Sequence, residues 1–524
     1  MKAAMKRDQL SPGAEDARFP VSMRKIAILA VAGVIVAPAW ATGSELSRED
    51  IQWLDRVTYG PSTATVEEYL KLGRRRFLNE QLHPKDVRLP QPAADQIAAL
   101  DISHSTSADL LATVFKEQQR INALPDEAQK QTDRKALNDR GNKLAYEAAR
   151  SEILHALYSP AQLQEQLTWF WLDHFSVFQY KANDAWLVGD YADHAIRPHA
   201  LGHFRDLVMA TLTHPAMLQY LDNAQNAAGH INENYARELM ELHTLGVGSG
   251  YTQQDIQELA RVLTGVGVNM AGNEPKLKPE WQPLYRHQGA FEFNPARHDF
   301  GAKTLLGQPI EGRGFDEVEQ AVDLLVSQPA CAQFVARKLA IYFVSDDPPR
   351  ALTERMAKTF QKTHGDIAAV LETLFKSREF AASLGSKFKD PMHYVISTVR
   401  LAYDGKPVIN THPVVNWLNA LGEAPFGRQT PDGFPLTESG WASSGQISRR
   451  FEIARAIGSG NGGLFDPEDG TPAKTTGFPQ LSTRLYFTAV EPLLSTNSRT
   501  ALDRASSQLE WNTYLLASPD FNYR

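Results

Sequence analysis

The sequence predicts a mainly α protein, a multi-helix globular array with long ordered loops and at most a small β-hairpin. Of the 524 residues, 43% are hydrophobic and 22% are charged, which is typical of a globular chain. Apolar residues recur at helical spacing in most of the chain, as in "ADLLATVFKEQQRI" and "FDEVEQAVDLLV". Helix-start signals agree with this pattern: Thr252 and Asp255 have the spacing of a capping box, and Ser159 followed by Pro160 predicts a first helical turn.

Residues 1–41 are predicted to be a secretory signal peptide. Arg24 and Lys25 precede an apolar stretch that ends in the small-x-small pattern Ala-Trp-Ala at residues 39–41. This stretch is shorter than the ~20 residues that span a membrane. We therefore expect cleavage after residue 41 and a periplasmic or secreted protein without a membrane span. Residues 1–22 are polar and charged, so Met23 is an alternative start that would place them upstream of the true N-terminus.

The charge balance argues against nucleic acid as a partner. Residues 1–41 carry six Lys or Arg and three Asp or Glu, so their removal changes the net charge from −7 to −10. A mildly acidic protein has no electrostatic attraction for a phosphate backbone. Cys331 is the only cysteine, which excludes an internal disulfide framework and a cysteine-cluster metal site.

We expect a single large helical domain over residues 42–524. Its N-terminal helical part covers 42–265 and its C-terminal helical part covers 313–524. Between them, residues 266–312 contain Gly, Pro and few periodic apolar residues, and are predicted to form a loop-rich insertion. Residues 423–445 are also rich in Gly, Pro, Ser and Thr, and loops of that length are often functional or mobile.

One predicted helix, within residues 231–245, carries a polar face. Asn234, Arg237, Glu238 and Glu241 share that face at helical spacing. One interpretation is a solvent-exposed face on which Arg237 and Glu241 form an ordinary i,i+4 pair. The other is a site, in which Glu238 and Glu241 are catalytic and Asn234 and Arg237 bind substrate.

Two segments before this helix carry further candidates. Asn223 and Asn226 are short amides that favour caps and tight turns, and we expect them to line the same cleft as substrate-binding residues. The stretch "LTWFWLDHF" is aromatic nearly all round and is predicted to be buried, yet it contains Asp173 and His174. Both are catalytic candidates; the alternative is a structural pair in which each buried polar atom has a partner.

The remaining substrate-binding candidates lie outside the predicted helices and are His298, Asp299, Lys303 and Trp441. The first three form a polar cluster, and the indole can stack on a sugar face. His194, His199 and His203 are close in sequence, but Pro198 and their spacing keep them off one helix face. The sequence therefore predicts no metal site and no cofactor, although a metal-dependent enzyme stays an alternative.

Six stretches together resemble the bacterial family known as the domain of unknown function numbered 1800. They are "LDRVTYGPSTATVEEYLKLGRRRFLNEQL", "WFWLDHF", "IRPHALGHFRDLVMATLTHPAMLQYLDNAQN", "NENYARELMELHTLGVGSGYTQQDIQELARVLTG", "HDFGAKTLLG" and "FVARKLAIYFV". The resemblance implies an exported, mostly helical protein, often encoded beside a second exported family of sulfatase-like appearance. Two departures are visible: Val266 replaces the family's usual Trp, and the Gly-Trp stretch near Trp441 reads "GFPLTESGWASS".

The residues leave three functions open. The first is a hydrolase that acts on an envelope or extracellular glycan, since two carboxylates at one cleft can divide into general acid and general base. Glu238 and Glu241 are one helical turn apart, so the second carboxylate is expected from Asp173 or Asp299. The second function is a non-enzymatic scaffold or maturation partner of the sulfatase-like protein. The third is a metal-dependent enzyme.

Overall fold

The computed structural model describes residues 46–468, 471 and 478–524, and these residues belong to one compact unit. The expected signal peptide lies outside the described residues. A continuous hydrophobic core contains side chains from helices along the whole described chain. No helix among these residues is long and apolar enough to cross a membrane.

Twelve α-helices precede the strand-containing region. They are α1 Arg48–Val57, α2 Thr63–Leu72, α3 Arg74–Leu82, α4 Gln91–Ala98, α5 Ser107–Ala123, α6 Glu127–Tyr158, α7 Gln162–His174, α8 Val188–Asp190, α9 Phe204–Leu212, α10 Pro215–Tyr220, α11 Asn234–Glu238 and α12 Gln253–Val262. Two π-helical turns, Tyr191–Ile196 and Leu239–Thr244, continue α8 and α11. Such π-helical turns are rare in proteins. Those that do occur are frequently found at functional sites.

Eleven α-helices of the described chain follow the strands. They are α13 Phe315–Ser327, α14 Pro329–Phe343, α15 Arg350–Lys362, α16 Ile367–Phe375, α17 Arg378–Ala382, α18 Pro391–Ala402, α19 His412–Ala420, α20 Ser444–Gly458, α21 Arg484–Ala489, α22 Thr496–Asp503 and α23 Gln508–Leu516. Helix α15 packs between α14 and α16, and α20 packs on α23. The prediction of a mainly α fold is confirmed.

The strands of the described chain all lie within residues 266–310. The strands β1 Val266–Val268, β2 Arg286–Gln288 and β3 Phe291–Phe293 form an antiparallel sheet in the order β1-β3-β2. The strands β4 Lys303–Leu305 and β5 Gln308–Ile310 form a separate hairpin. The predicted insertion therefore contains two small sheets rather than one hairpin, because three-residue strands are too short to produce a visible alternating pattern.

Local capping explains where several helices begin. Thr252 and Asp255 form the predicted capping box, with the Asp255 carboxylate accepting the Thr252 N–H at 2.8 Å. The predicted start of α7 was wrong by two residues: the helix begins at Gln162, and the Ser159 hydroxyl accepts the Ala161 N–H at 3.2 Å. Between α19 and α20 the chain forms a long loop, which contains the segment rich in Gly, Pro, Ser and Thr at residues 423–445.

A buried guanidinium joins the two ends of the described chain. Arg56 of α1 is fully buried and donates to Phe343 O at 2.5 Å, Ser383 O at 2.6 Å, the Ser383 hydroxyl at 3.1 Å and Arg524 O at 2.5 Å. Burial lowers the pKa of Arg56 to about 9, and Arg524 lowers it too. The carbonyl groups at the ends of α14 and α17 thus find their hydrogen-bond donor in α1.

We expect Arg56→Leu to lower the free energy of unfolding by at least about 3 kcal/mol, since each buried acceptor left without a donor costs ~1–3 kcal/mol. Denaturant unfolding of the full chain measures this loss. Arg76→Leu is the matched control, because its side chain is 71% exposed and pairs with Glu80 at the surface. That change should alter stability by no more than about 0.5 kcal/mol. Equal effects of the two substitutions would contradict the role of Arg56.

Candidate functional site

One open pocket of about 400 Å³ contains a predicted catalytic residue, Glu238. We call it the Glu238 pocket; its walls are Phe178, Tyr180, Lys181, Tyr220, Leu221, Asn234, Glu238, Gln429 and Pro431. Three aromatic rings and one cation therefore surround a half-buried carboxyl group. The walls come from the segment after α7, the end of α10, helix α11 and the loop between α19 and α20.

Amide side chains fix the position of α11. The Asn232 side chain accepts the Asn234 N–H at 2.9 Å, and the Asn234 side chain donates to Leu221 O at 3.1 Å. These bonds tie the start of α11 to the end of α10. Glu238, the last residue of α11, is thereby held against Tyr220 and its neighbours.

The polar face of α11 is divided by the π-helical turn. From Leu239 onward the turn is wider, and the Thr244 hydroxyl donates to Leu239 O at 2.6 Å. Glu238 lines the pocket, whereas Glu241 does not and lies 3.5 Å from the Arg237 guanidinium. Arg237 also donates to Glu233 at 3.1 Å and to Gln253 at 2.9 Å. The i,i+4 pair that the sequence suggested is present, and only one of the two glutamates reaches the pocket.

Glu238 and a loop carboxylate, Asp432, have oppositely shifted pKa values. Burial raises the pKa of Glu238, and the charges of Glu241 and Asp432 raise it further against the opposing effect of Arg237. Burial also raises the pKa of Asp432, but hydrogen bonds from the Thr430 hydroxyl and the Arg428 guanidinium outweigh it, and the net shift is downward. Glu238 thus loses its proton at a higher pH than an ordinary glutamic acid, and Asp432 loses its proton at a lower pH than an ordinary aspartic acid.

Tyr220 lines the pocket with Glu238 and also bonds to the loop that carries Asp432. Its hydroxyl donates to Gln429 O at 3.0 Å, which fixes the loop carrying Asp432 against the pocket. Burial raises the pKa of Tyr220, followed by the charges of Glu238, Asp184 and Asp432. Across the pocket, Lys181 donates to Tyr220 O at 2.5 Å and to Asp222 at 2.8 Å. The cation therefore holds the backbone at the end of α10.

Asp173 lies behind this loop rather than in the pocket. Its carboxylate accepts the Phe434 N–H, and a Cβ added at Gly433 would lie 2.5 Å from Asp173 O. Gly433 has φ +77°, a conformation that favours glycine. Burial raises the pKa of Asp173 to about 7, while the charge of Lys338 lowers it. Asp173 thus fixes the loop that carries Asp432.

His174 is part of a buried network on the opposite side of α11. Its Nδ1 accepts from the Lys338 ammonium at 2.9 Å, and its Nε2–H donates to His243 O at 3.0 Å. Burial first, and then the charges of Lys338 and His243, lower its pKa well below the ordinary value. The structure does not bring this catalytic candidate to the polar face of α11, because His174 bonds to His243 on the opposite face.

His243 is fully buried, and no described residue gives either of its ring nitrogens a hydrogen bond. Its ring packs at 5.0 Å from Phe175, 6.0 Å from His174 and 6.5 Å from Tyr235. Burial, followed by the charge of Lys338, lowers its pKa to about 3. His243 therefore stays neutral in the folded protein at any pH near neutrality.

The predicted amides Asn223 and Asn226 lie in the core instead of a cleft. Asn223 donates to Leu263 O at 3.2 Å and Val266 O at 2.9 Å, and Asn226 donates to Ala260 O at 2.8 Å. These bonds satisfy carbonyl groups at the end of α12 and in β1. The structure does not bring either amide to the Glu238 pocket.

The His298 cluster is also separate from the pocket. His298 donates from Nδ1 to Thr264 O at 2.7 Å, and its Nε2 lies 3.3 Å from Glu317. Lys303 pairs with the same carboxylate at 2.6 Å, and all three side chains are buried. Asp299 pairs with Arg261 at 2.8 Å. This cluster ties the strand region to α13.

Trp441 is buried rather than available for stacking. Its indole N–H donates to Pro435 O at 2.7 Å, and its ring lies 6.2 Å from that of Phe434. Among the candidates predicted from sequence, the pocket therefore contains Glu238 and Asn234. Sequence reasoning missed Asp432, Tyr180 and Tyr220, and only the composition of residues 423–445 pointed to that loop.

Comparison with known proteins places the chain in a family. The chain belongs to the family described as protein of unknown function (DUF1800), whose family model matches residues 52–523. No curated protein and no solved structure matches the chain. Among the described residues, no group of three or more His, Cys, Asp or Glu side chains is arranged to hold a metal ion.

We expect His243→Phe to make stability less sensitive to acid. The folded-state pKa of about 3 lies below the ordinary 6.5, so the unfolded wild type gains a proton that the folded protein excludes as pH falls from about 6.5 towards 3. Removing the imidazole removes that contribution, and the variant should lose less free energy of unfolding over this range. Denaturant unfolding at several pH values measures it.

The matched control is His203→Phe, at an exposed position. It should keep the wild-type dependence of stability on pH. Identical acid sensitivity in wild type and His243→Phe would show that His243 is not the buried neutral group described above.

Proposed function

We propose that the protein is a hydrolase that acts on an envelope or extracellular glycan, with Glu238 as its general acid. The observation that carries this proposal is Glu238 itself, a half-buried carboxyl group with a raised pKa that lines an open pocket and lies near enough to Asp432 for that charge to raise its pKa further. Glycosidases commonly use two carboxyl groups in this way, one protonated and one ionised. The exported location expected from residues 1–41 is part of the same proposal.

The proposed chemistry assigns each carboxyl group one task. Glu238, whose pKa is raised, donates a proton to the glycosidic oxygen as the bond to the leaving sugar breaks. The second carboxylate of a glycosidase either takes a proton from water or attacks the sugar carbon. Asp432, held ionised by Arg428 at 2.9 Å and 3.0 Å, has the charge that both tasks require.

The walls of the pocket support a sugar as substrate. Tyr180 is 65% exposed, and its ring packs at 5.3 Å from that of Phe178. With Tyr220 these rings offer flat apolar surface beside polar groups, which suits a ligand with apolar C–H faces and hydroxyl edges. The Asn234 amide and the Gln429 segment supply hydrogen-bonding groups at the edge of the same pocket.

A non-enzymatic partner of an exported sulfatase-like protein is the second candidate. The observation that favours it is a pair of exposed apolar side chains, Ile447 and Phe451, which lie one turn apart on α20. An exposed apolar strip of this kind suits a protein contact. No grouping of metal ligands among the described residues favours the third function, a metal-dependent enzyme.

We expect Glu238→Gln to lower the rate of glycan cleavage by about 10²–10⁴-fold, the usual contribution of a general acid. The measurement is the release of new reducing ends from a panel of purified envelope and extracellular polysaccharides. Glu241→Gln is the comparison on the same helix and should lower the rate much less, because it removes a charge that raises the pKa of Glu238 but leaves the acid in place. Thermal midpoints of both variants should match the wild type, since both side chains are half-buried and a glutamine keeps their volume.

The pH dependence gives a second readout of the same reaction. Activity should fall as pH rises through the raised pKa of Glu238, because the acid loses its proton. It should also fall as pH drops through the lowered pKa of Asp432, and Asp432→Asn should remove that acidic limb along with most activity. Full cleavage by Glu238→Gln, or no cleavage of any glycan by the wild type, would refute the proposal.

A further inference from the structure

An open pocket of about 630 Å³ lies between the start of α2 and the ends of α6 and α18. We call it the Glu68 pocket, after the α2 residue in its wall. It has no wall residue in common with the Glu238 pocket. Its volume is within the ~300–1,000 Å³ that is typical of small-molecule sites. The Glu68 pocket is therefore a separate feature, and its ligand does not depend on the glycan proposal.

Most of the wall of the Glu68 pocket is apolar. Phe77 of α3, Leu157 at the end of α6 and Val399 of α18 line it and are each at most 3% exposed. Leu89, in the segment before α4, adds a half-buried apolar side chain. Phe77 and Tyr158 contribute aromatic rings. A wall of this kind favours a ligand with an apolar body, because binding removes apolar surface from water.

Two carboxyl groups in the wall have no partner among the described residues. Glu67 and Glu68 are consecutive in α2, and no described side chain or backbone group forms an ion pair or a hydrogen bond with either carboxyl group. Burial raises the pKa of Glu68 and the charge of Glu80 raises it further, while the charge of Lys71 lowers it. A carboxylate beside apolar surface loses hydration, so a cation from outside the protein stabilises it.

The other charged groups of the wall are Asp404, Arg400 and Arg88. Arg400 is buried and donates to Leu157 O at 2.5 Å and to the Thr65 hydroxyl at 3.0 Å. Burial lowers the pKa of Arg400 to about 10, and the charge of Asp404 opposes that effect. Three carboxylates and two guanidinium groups give the wall a net charge of −1. This charge favours a cation over an anion.

Glu68 lies at the polar edge of the pocket. Glu68 and Pro160 also line an adjoining cleft, whose walls include the polar side chains of Asn79 and His83. A charged group placed at Glu68 therefore keeps access to water, while an apolar group attached to it can contact Phe77 and the rest of the apolar wall. The pocket thus suits a ligand with one charged end and one apolar end.

We infer that the Glu68 pocket binds a small organic cation, namely a protonated amine that carries an apolar aryl or alkyl body. The ammonium group pairs with the carboxylates of Glu67 and Glu68, and the apolar body packs against Phe77 and Leu89. The aromatic rings of the wall attract the same positive charge through their faces. An anion of the same shape meets two unpartnered carboxylates and is disfavoured.

The test is isothermal titration calorimetry of the full chain with phenylbutylamine, phenylbutanol and phenylbutanoate. These probes share one apolar body and differ in charge. The amine should bind about fivefold more tightly than the alcohol, the effect of a partly exposed ion pair. The carboxylate should bind more weakly than the alcohol. Added salt should weaken binding of the amine but not of the alcohol, because salt screens partly exposed charges.

The double variant Glu67→Gln/Glu68→Gln tests the two carboxylates. It should lower the affinity for the amine to the affinity for the alcohol and leave the latter unchanged. Its thermal midpoint should match the wild type, since neither carboxyl group has a described partner. The matched control is Glu354→Gln/Glu452→Gln, at two exposed helical positions outside the pocket, and it should bind the amine as the wild type does.

Leu89→Ala tests the apolar wall and should weaken binding of the amine and of the alcohol alike, by about fivefold. The inference is overturned if the amine does not bind, if it binds no more tightly than the alcohol, or if the carboxylate binds most tightly. Wild-type affinity for the amine in Glu67→Gln/Glu68→Gln, or an equal loss in the control, would also overturn it.

Discussion

The hydrogen bond from the Phe434 N–H to the Asp173 carboxylate is the constraint on which the candidate site depends. Asp173 belongs to the aromatic helix α7, whereas Phe434 belongs to a long loop in which the helical hydrogen bonds are those of the short 3-10 turn Glu438–Gly440. Gly433 permits the close approach, because any side chain there would clash with Asp173. The loop is therefore ordered where it carries Asp432, whose charge adds to burial and to the charge of Glu241 in raising the pKa of Glu238.

Burying the Asp173 carboxylate and the Lys338 ammonium costs free energy, and their interactions with each other and with neighbouring groups reduce that cost. The charge of Lys338 lowers the pKa of Asp173. The Lys338 ammonium also donates a hydrogen bond to Nδ1 of His174 at 2.9 Å. The two histidines beside it remain neutral because burial disfavours their charged forms. The Lys338 ammonium thus interacts with both the Asp173 carboxylate and the His174 imidazole. Helix α7, helix α14 and the π-helical turn after α11 meet around this lysine.

Local signals in the sequence predicted the helices well and the site only in part. The capping box at Thr252 and the helical spacing of apolar residues depend on neighbours in the chain, so they can be read from a single sequence. Glu238 was found because helical spacing grouped it with other polar residues. The same spacing wrongly grouped Glu241 with Glu238. A helical wheel assumes a regular α-helix, whereas a π-helical turn begins at Leu239.

Asp432 shows the limit of such reasoning. It lies almost two hundred residues from Glu238 in the chain, and its position depends on contacts with Asp173 and Tyr220 that no local pattern encodes. Asn223 and Asn226 show the opposite error, in which residues predicted for the site lie in the core. Their amides were taken for cleft walls, but they satisfy backbone carbonyls that become buried only when α12 and β1 come together.

The most direct test of the account is the protonation state of Glu238, followed as the carboxyl band in the infrared difference spectrum between wild type and Glu238→Gln over a range of pH. The account predicts that this band persists at pH values above the ordinary 4.5 and that its midpoint shifts to lower pH in an Asp432→Asn background. A midpoint at or below 4.5, unchanged by Asp432→Asn, would contradict the central claim that the two carboxyl groups form one electrostatically coupled site.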